Sequence, residues 1–170
     1  EKNGNVNSSP INVSGLTPGT GYYMKITTKC GFTTNESGSH YVETTCPLPT
    51  KFNLAIQAQN GAKIEWDSAN GANEYEWFVV KKGMGQNSTK FDSGTISQDS
   101  VTISNLTAGD EFDFYIKSIC NDIKSDFTEP YSFSTLEACS KPDINYDNIK
   151  STSVTIGFNN MSSNAESYDW

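Results

Sequence analysis

The chain contains no arginine: all twelve of its basic residues are lysine. An Arg-Gly-Asp motif therefore cannot occur. The formal net charge is −8, which argues against nucleic acid, because phosphate binding needs a basic surface. It argues equally against an anionic membrane surface. No apolar run approaches the ~20 residues that a membrane-spanning helix needs, so no membrane insertion is expected. Histidine is nearly absent too, with His40 the single copy. Without a Cys-His pair in sequence reach or a glycine-rich phosphate loop, little remains from which to build an active site or to hold a cofactor. His40 reads as a partly solvated residue at the start of a strand. No two of the four cysteines lie within zinc-ligand spacing. The first residue is Glu1, with no methionine and no signal-peptide pattern, so the chain reads as a piece of something longer.

What is present is a repeat. Leu106-Thr107-Ala108-Gly109-Asp110-Glu111-Phe112-Asp113-Phe114-Tyr115-Ile116-Lys117-Ser118-Ile119-Cys120 restates Leu16-Thr17-Pro18-Gly19-Thr20-Gly21-Tyr22-Tyr23-Met24-Lys25-Ile26-Thr27-Thr28-Lys29-Cys30. Each copy is a leucine, a tight polar corner and then a strand. Phe112, Phe114, Ile116, Ser118 and Cys120 fall on one face of that strand, as do Tyr22, Met24, Ile26, Thr28 and Cys30 in the earlier copy. Strict alternation in a long repeat predicts all-β modules in tandem. The apolar content of 35% fits strands with one wet face.

The run Leu16-x-Pro18-Gly19-Thr20-x-Tyr22 resembles the E–F corner of fibronectin type III domains, whose tyrosine hydroxyl bonds back across the corner. The resemblance implies immunoglobulin-like two-sheet β-sandwiches and divides the chain in three. Residues 1–46 would be the back half of a module, with Ile11 and Val13 on strand E, the corner strand as F and Tyr41 to Thr45 as G. Residues 47–138 would be one complete module. Pro47-Leu48-Pro49 is its stiff linker, and Phe52, Leu54, Ile56 and Ala58 alternate as a first strand. Asn60-Gly61 signals a hairpin through tolerance of positive φ. Ala62, Ile64 and Trp66 follow as strand B, and Tyr75, Trp77 and Val79 as strand C. Gly83, Gly85 and Asn87 mark a loose connection before strand E at Val101 and Ile103; Tyr131 and Phe133 end the module. Residues 139–170 would restart the pattern, with Pro142 answering Pro49, Val154-x-Ile156-x-Phe158 answering strand B, and Tyr168-Asp169-Trp170 answering Tyr75-Glu76-Trp77. Trp66, Tyr75, Trp77, Leu106, Phe112, Phe114, Ile116 and Phe133 are the expected core. Phe112 departs from the corner tyrosine and Phe158 from the strand B tryptophan. The absence of arginine excludes the cytokine-receptor branch of this fold, which stacks arginines between aromatics.

Cysteines 30, 46, 120 and 139 allow three pairings. In a regular F–G hairpin Cys30 would face a residue near 39, leaving Cys46 ~23 Å further along the strand. A disulfide needs Cα atoms within ~7 Å. In the module topology implied by the resemblance, strand A begins and strand F ends at the same pole. A Cys46–Cys120 bond is therefore expected, with Cys30 and Cys139 unpaired here or bonded to cysteines outside. Similar cysteine placement occurs in repeat modules of secreted and surface proteins of the Bacteroidetes. Four buried thiols in a cytosolic protein are the alternative.

Other features carry weaker signals. Asp110, Glu111 and Asp113 could hold Ca²⁺, although corner residues are commonly acidic for turn reasons alone. Asn7, Asn12, Asn35, Asn87, Asn105 and Asn160 each begin a sequon. Asp67-Ser68-Ala69 and Asp99-Ser100-Val101 resemble the acceptor motif of Bacteroidetes O-glycosylation, making Ser68 and Ser100 candidate sites. If Tyr75, Trp77 and Val79 point inward, then Phe78, Val80, Tyr115 and Ile119 point outward and form a candidate partner surface. Cross-strand aromatic pairs that merely stabilise the sheet are the competing account. The resemblance implies a non-catalytic module of an extracellular or cell-surface protein. Its parent would be an adhesin of the gliding or type IX-secreted kind, and its partner a protein, a glycan or a neighbouring module. Accessory spacers of a secreted glycosidase or protease, and a eukaryotic receptor ectodomain, are the alternatives.

Overall fold

The computed structural model describes residues 1–159 together with Met161, Ala165, Ser167 and Asp169. Among them there is no helix; fourteen strands carry the whole architecture. The first region holds β1 (Gly21–Met24), β2 (Thr27–Cys30), β3 (Thr33–Glu36) and β4 (His40–Glu43). β1 pairs with β4 and β2 with β3, both antiparallel, so one long hairpin is interrupted midway. The break is bridged by the Ser37 amide donating to the Ile26 carbonyl at 2.8 Å and the Ile26 amide donating to Ser37 Oγ at 2.9 Å. Ile11 and Val13, expected on a strand, lie outside any strand and are exposed. No partner strand pins that stretch, and alternation over so few residues does not hold a strand by itself.

The central region is a two-sheet sandwich. One sheet runs β5 (Thr50–Gln57), β6 (Ala62–Asp67) and β9 (Ser100–Ile103) in that order. The other places β7 (Glu74–Lys81) between β8 (Asp92–Ile96) and β10 (Glu111–Cys120). The far edge of β10 carries β11 (Ile123–Lys124) and β12 (Tyr131–Ser134). All eight expected core residues are buried in one cluster between the sheets. Each such aliphatic or aromatic side chain contributes about 1.5–3 kcal/mol on burial, and the rings interlock: Phe114 meets Trp66, Trp77 and Phe52 at centroid distances of 6.0, 6.1 and 6.4 Å.

Three details differ from the sequence reading. Asp92–Ile96, within the expected loose connection, is a strand at the sheet edge. Its Gly94 lies opposite Trp77, and a Cβ there would rest in contact with the indole at 3.4 Å. The Asn60-Gly61 hairpin forms, but neither residue has positive φ. Gly61 is there because a Cβ would collide with the Ile103 carbonyl oxygen. The left-handed pair is Asn121-Asp122, with φ of 47° and 75°, which turns β10 into β11 in two residues.

The third region pairs β13 (Asp143–Asp147) with β14 (Thr155–Asn159), antiparallel. Ile156 and Phe158 lie on β14 as expected, and Val154 immediately precedes it. Of the anticipated strand at 168–170, Tyr168 and Trp170 lie outside the described residues, as does the sequon residue Asn160.

Candidate functional site: an outer sheet face and a disulfide pole

The outward-facing side chains of β7 and β10 do not form an open surface. Phe78 is 1% exposed, Val80 0% and Tyr115 5%; Ile119 is half-buried. Phe78 and Tyr115 are cross-strand partners, stacked at 5.0 Å between centroids, and Phe127 closes over Phe78 edge-on at 4.9 Å. The cover comes from an irregularity in the chain after β11. The Ser125 amide donates to the Ser118 carbonyl and the Thr128 amide to the Ile116 carbonyl, both at 2.9 Å. Two residues of β10 are thus matched by three of its neighbour, and the surplus bulges outward. Lysines complete the lid: Lys90 Nζ lies 4.5 Å from the Phe78 ring centre and Lys117 Nζ 4.3 Å from that of Phe127. Glu76 ties down Lys117 at 3.0 Å and Lys124 at 2.8 Å, and the Lys124 hydrogen bond foremost holds its carboxyl below the usual range. The candidate partner surface is therefore a second small core. Alternation exposes nothing to find Phe127; a bulge after a two-residue turn leaves no periodic trace.

The corner carboxylates disperse rather than converge. Asp110 pairs with Lys81 at 3.3 Å and Glu111 with Lys82 at 2.6 Å. Asp113 is buried, accepting from the Gly83 amide at 2.8 Å and Ser132 Oγ at 2.6 Å. With each carboxylate engaged elsewhere, the three do not form a calcium cage. Among the described residues no group of three His, Cys, Asp or Glu side chains is placed to hold a metal. His40 is exposed at the first position of β4.

At one pole of the sandwich Cys46 and Cys120 are joined, with Cα atoms 5.6 Å apart and both residues buried. Cys30 and Cys139 are exposed and unpaired by disulfide. The Cys30 hairpin is tighter than the sequence suggests: Cys30 faces Thr33, not a residue near 39, because Gly31 turns the chain at φ 60°. Gly19, from the first region's corner, is wedged into this pole. Its amide donates to the Thr45 carbonyl at 3.3 Å, and a Cβ there would collide with Cys120, whose carbonyl oxygen would be 2.7 Å away. Pro18 beside it lies over Gly71, 3.3 Å from where a Cβ would sit.

Two threonines unnoticed in the sequence close the repeated corners. Thr44 Oγ1 donates to the Thr17 carbonyl at 2.7 Å and accepts from the Thr20 amide at 3.0 Å. Thr135 Oγ1 donates to the Thr107 carbonyl at 2.6 Å and accepts from the Asp110 amide at 3.2 Å. The corner tyrosine bond is present in the first region, where the Thr17 amide donates to the Tyr22 hydroxyl at 2.8 Å. Elsewhere, Ser68 is exposed, its Oγ donating to Asp99 Oδ2 at 2.6 Å, so the two Asp-Ser motifs lie side by side. Ser100 is half-buried on β9, opposite Glu65. Asn7, Asn12, Asn35, Asn87 and Asn105 are all exposed.

No family model matches the sequence, and no curated protein matches it. Solved structures do. A two-domain fibronectin type III segment of chicken tenascin is 18% identical, covers 71% of this chain and 68% of its own, and superposes with a TM-score of 0.57. The type III domain of human collagen α-1(XX) is 14% identical, with 56% and 90% covered and a TM-score of 0.49. Domains d3–d4 of the rat CD45 extracellular region are 17% identical, with 78% and 75% covered and a TM-score of 0.47. The tenascin match establishes the fold: an all-β sandwich of the fibronectin type III kind.

Proposed function

We propose that this chain is a non-catalytic tandem-module segment of a large extracellular or cell-surface protein, serving as stalk and spacer of an adhesin. The observation that carries the reading is the duplicated corner. The same threonine bonds recur ninety residues apart, and a short linker holding Pro47 and Pro49 connects the regions. Repeated sandwiches on stiff linkers hold a binding tip away from a surface, and a buried bridge suits an oxidising compartment. A Bacteroidetes surface protein exported by the type IX route fits the cysteine placement. Division of residues into modules at 46/47 and 138/139 belongs to the same proposal, as do Ser68 and Ser100 as O-glycan acceptors. So do the pairings of Cys30 and Cys139 with cysteines outside the chain, and a protein, glycan or neighbouring module as the partner.

The test is made on intact cells of the encoding organism. External protease should release fragments reactive to an antibody against this chain, and in-frame deletion of residues 47–138 should reduce attachment. Fragments that stay protected until lysis would sink the surface assignment. Release without any attachment defect, together with a hydrolase activity on the same polypeptide, would favour accessory modules of a secreted enzyme.

A further inference from the structure

We propose that the Cys46–Cys120 bridge is a tensile bypass that keeps the sandwich out of the line of pull. This rests on the spacer reading, since only a chain held at both ends carries tension. Force arriving from the first region reaches Cys46 before the Pro47–Pro49 linker and before β5 begins at Thr50. The bridge hands it to Cys120, the last residue of β10. Asn121-Asp122 then reverses the chain, and residues 123–134 run back beside β10, from Ile123 opposite Cys120 to Ser134 opposite Glu111. The covalent path therefore crosses the module once, along its outer strand. Every residue from 47 to 119 hangs from that path as a closed loop with ends 74 positions apart.

Two consequences follow from chain dimensions. Residues 121–138 have a contour length of ~60 Å, of which ~33 Å is already spanned alongside the ten residues of β10. With the bridge intact the module can lengthen by only ~30 Å. Without it, residues 47–138 are all in line, and unfolding releases ~290 Å. The difference is roughly tenfold. The outer strand also does not peel easily, because the pull runs along it while its bonds to β10 lie across that direction. The Thr128–Ile116 and Ser125–Ser118 amide bonds, both 2.9 Å, would have to shear with those of β12.

The experiment is single-molecule extension of the 170-residue chain held at its ends, with the disulfide mapped beforehand on the same preparation. The oxidised chain should show no step longer than ~30 Å from residues 47–138, whereas C46A/C120A should show one of ~290 Å. If that double variant fails to fold, the wild-type chain in a dithiol reductant serves in its place. A long step from oxidised chain, or a short step with the bridge absent, would overturn the bypass. Neither result bears on surface exposure or attachment, so the spacer reading stands or falls separately.

Discussion

The corner at Thr17–Tyr22 and the corner at Thr107–Phe112 are built from the same backbone bonds and plugged differently. In both, a glycine with positive φ turns the chain, Gly19 at 57° and Gly109 at 70°. In both, its amide donates to a carbonyl just past the strand that pairs with the corner strand, Gly19 to Thr45 after β4 at 3.3 Å and Gly109 to Leu136 after β12 at 3.0 Å. A threonine hydroxyl then locks the turn. The plug diverges with its surroundings. Tyr22 is half-buried and keeps its hydroxyl on the Thr17 amide. Phe112 is 0% exposed, packed against Phe133 at 5.7 Å and Phe91 at 5.1 Å. A hydroxyl is useful where the ring meets water and costly where it would have to be desolvated. The corner's shape is thus a local code, while its filling answers to the core beneath it.

The largest effect expected from this comparison concerns the cysteines that end the two corner strands. C46A/C120A should lower stability of the central sandwich by about 4–5 kcal/mol, the chain-entropy value for so long a loop, in guanidinium unfolding. Cys30→Ala, at the matching but exposed position, should leave the transition where it was. Equal losses would mean that the two strand ends are equivalent after all.

Next come the threonines. Thr135→Val strands the Thr107 carbonyl and the Asp110 amide and should cost about 1–3 kcal/mol, because Thr135 is only 4% exposed. Thr44→Val should cost less, since Thr44 is itself only half-buried and water can reach the groups it leaves. A reversed order in thermal melts would show that burial does not set the difference.

The glycines give a smaller, more local contrast. Gly19→Ala and Gly109→Ala both force alanine into the left-handed region, at about 1–2 kcal/mol. Only Gly19→Ala also pushes on Cys120; Gly109 faces the flexible carboxylate of Glu137, at 2.5 Å. Amide shifts of Gly71 and Cys120 should therefore move in the first variant and not in the second. Unmoved shifts in Gly19→Ala would show that the first region does not rest on the pole.

The smallest effect is a divergence in tyrosine titration. Tyr22 and Tyr75 both accept a backbone amide hydrogen bond, from Thr17 at 2.8 Å and from Ala69 at 2.9 Å. Hydrogen bonding by Thr17 holds the half-buried Tyr22 phenol below its ordinary value, whereas burial pushes Tyr75 up. Tyr75's contribution to stability should be fully present below the unfolded value of about 10 and be lost as pH rises through its higher folded value. Tyr22's depressed pKa acts the other way: its contribution is present above about pH 10 and lost as pH falls through the folded value. Ultraviolet difference titration of Tyr22→Phe and Tyr75→Phe would separate them, and a Tyr75 that ionises before Tyr22 would reverse the assignment.

The sequence by itself determined the strands whose inward faces are apolar at every second position. Trp66, Trp77, Phe112, Phe114 and Phe133 could be placed in the core from their spacing, because a period of two commits each residue to a face. It also located the corner, since leucine, glycine and a following alternating strand form a contiguous signal. What only the tertiary structure decided is what covers each face from far along the chain. Phe78 and Tyr115 read as open because alternation says which side a residue points to, and nothing about a bulge that brings Phe127 over that side. Asp92–Ile96 read as a loop because an edge strand with a glycine against Trp77 needs little apolar alternation. The partners of Gly19, Thr44 and Thr135 were likewise invisible, since a bond to a residue 24 positions or more away leaves no local pattern.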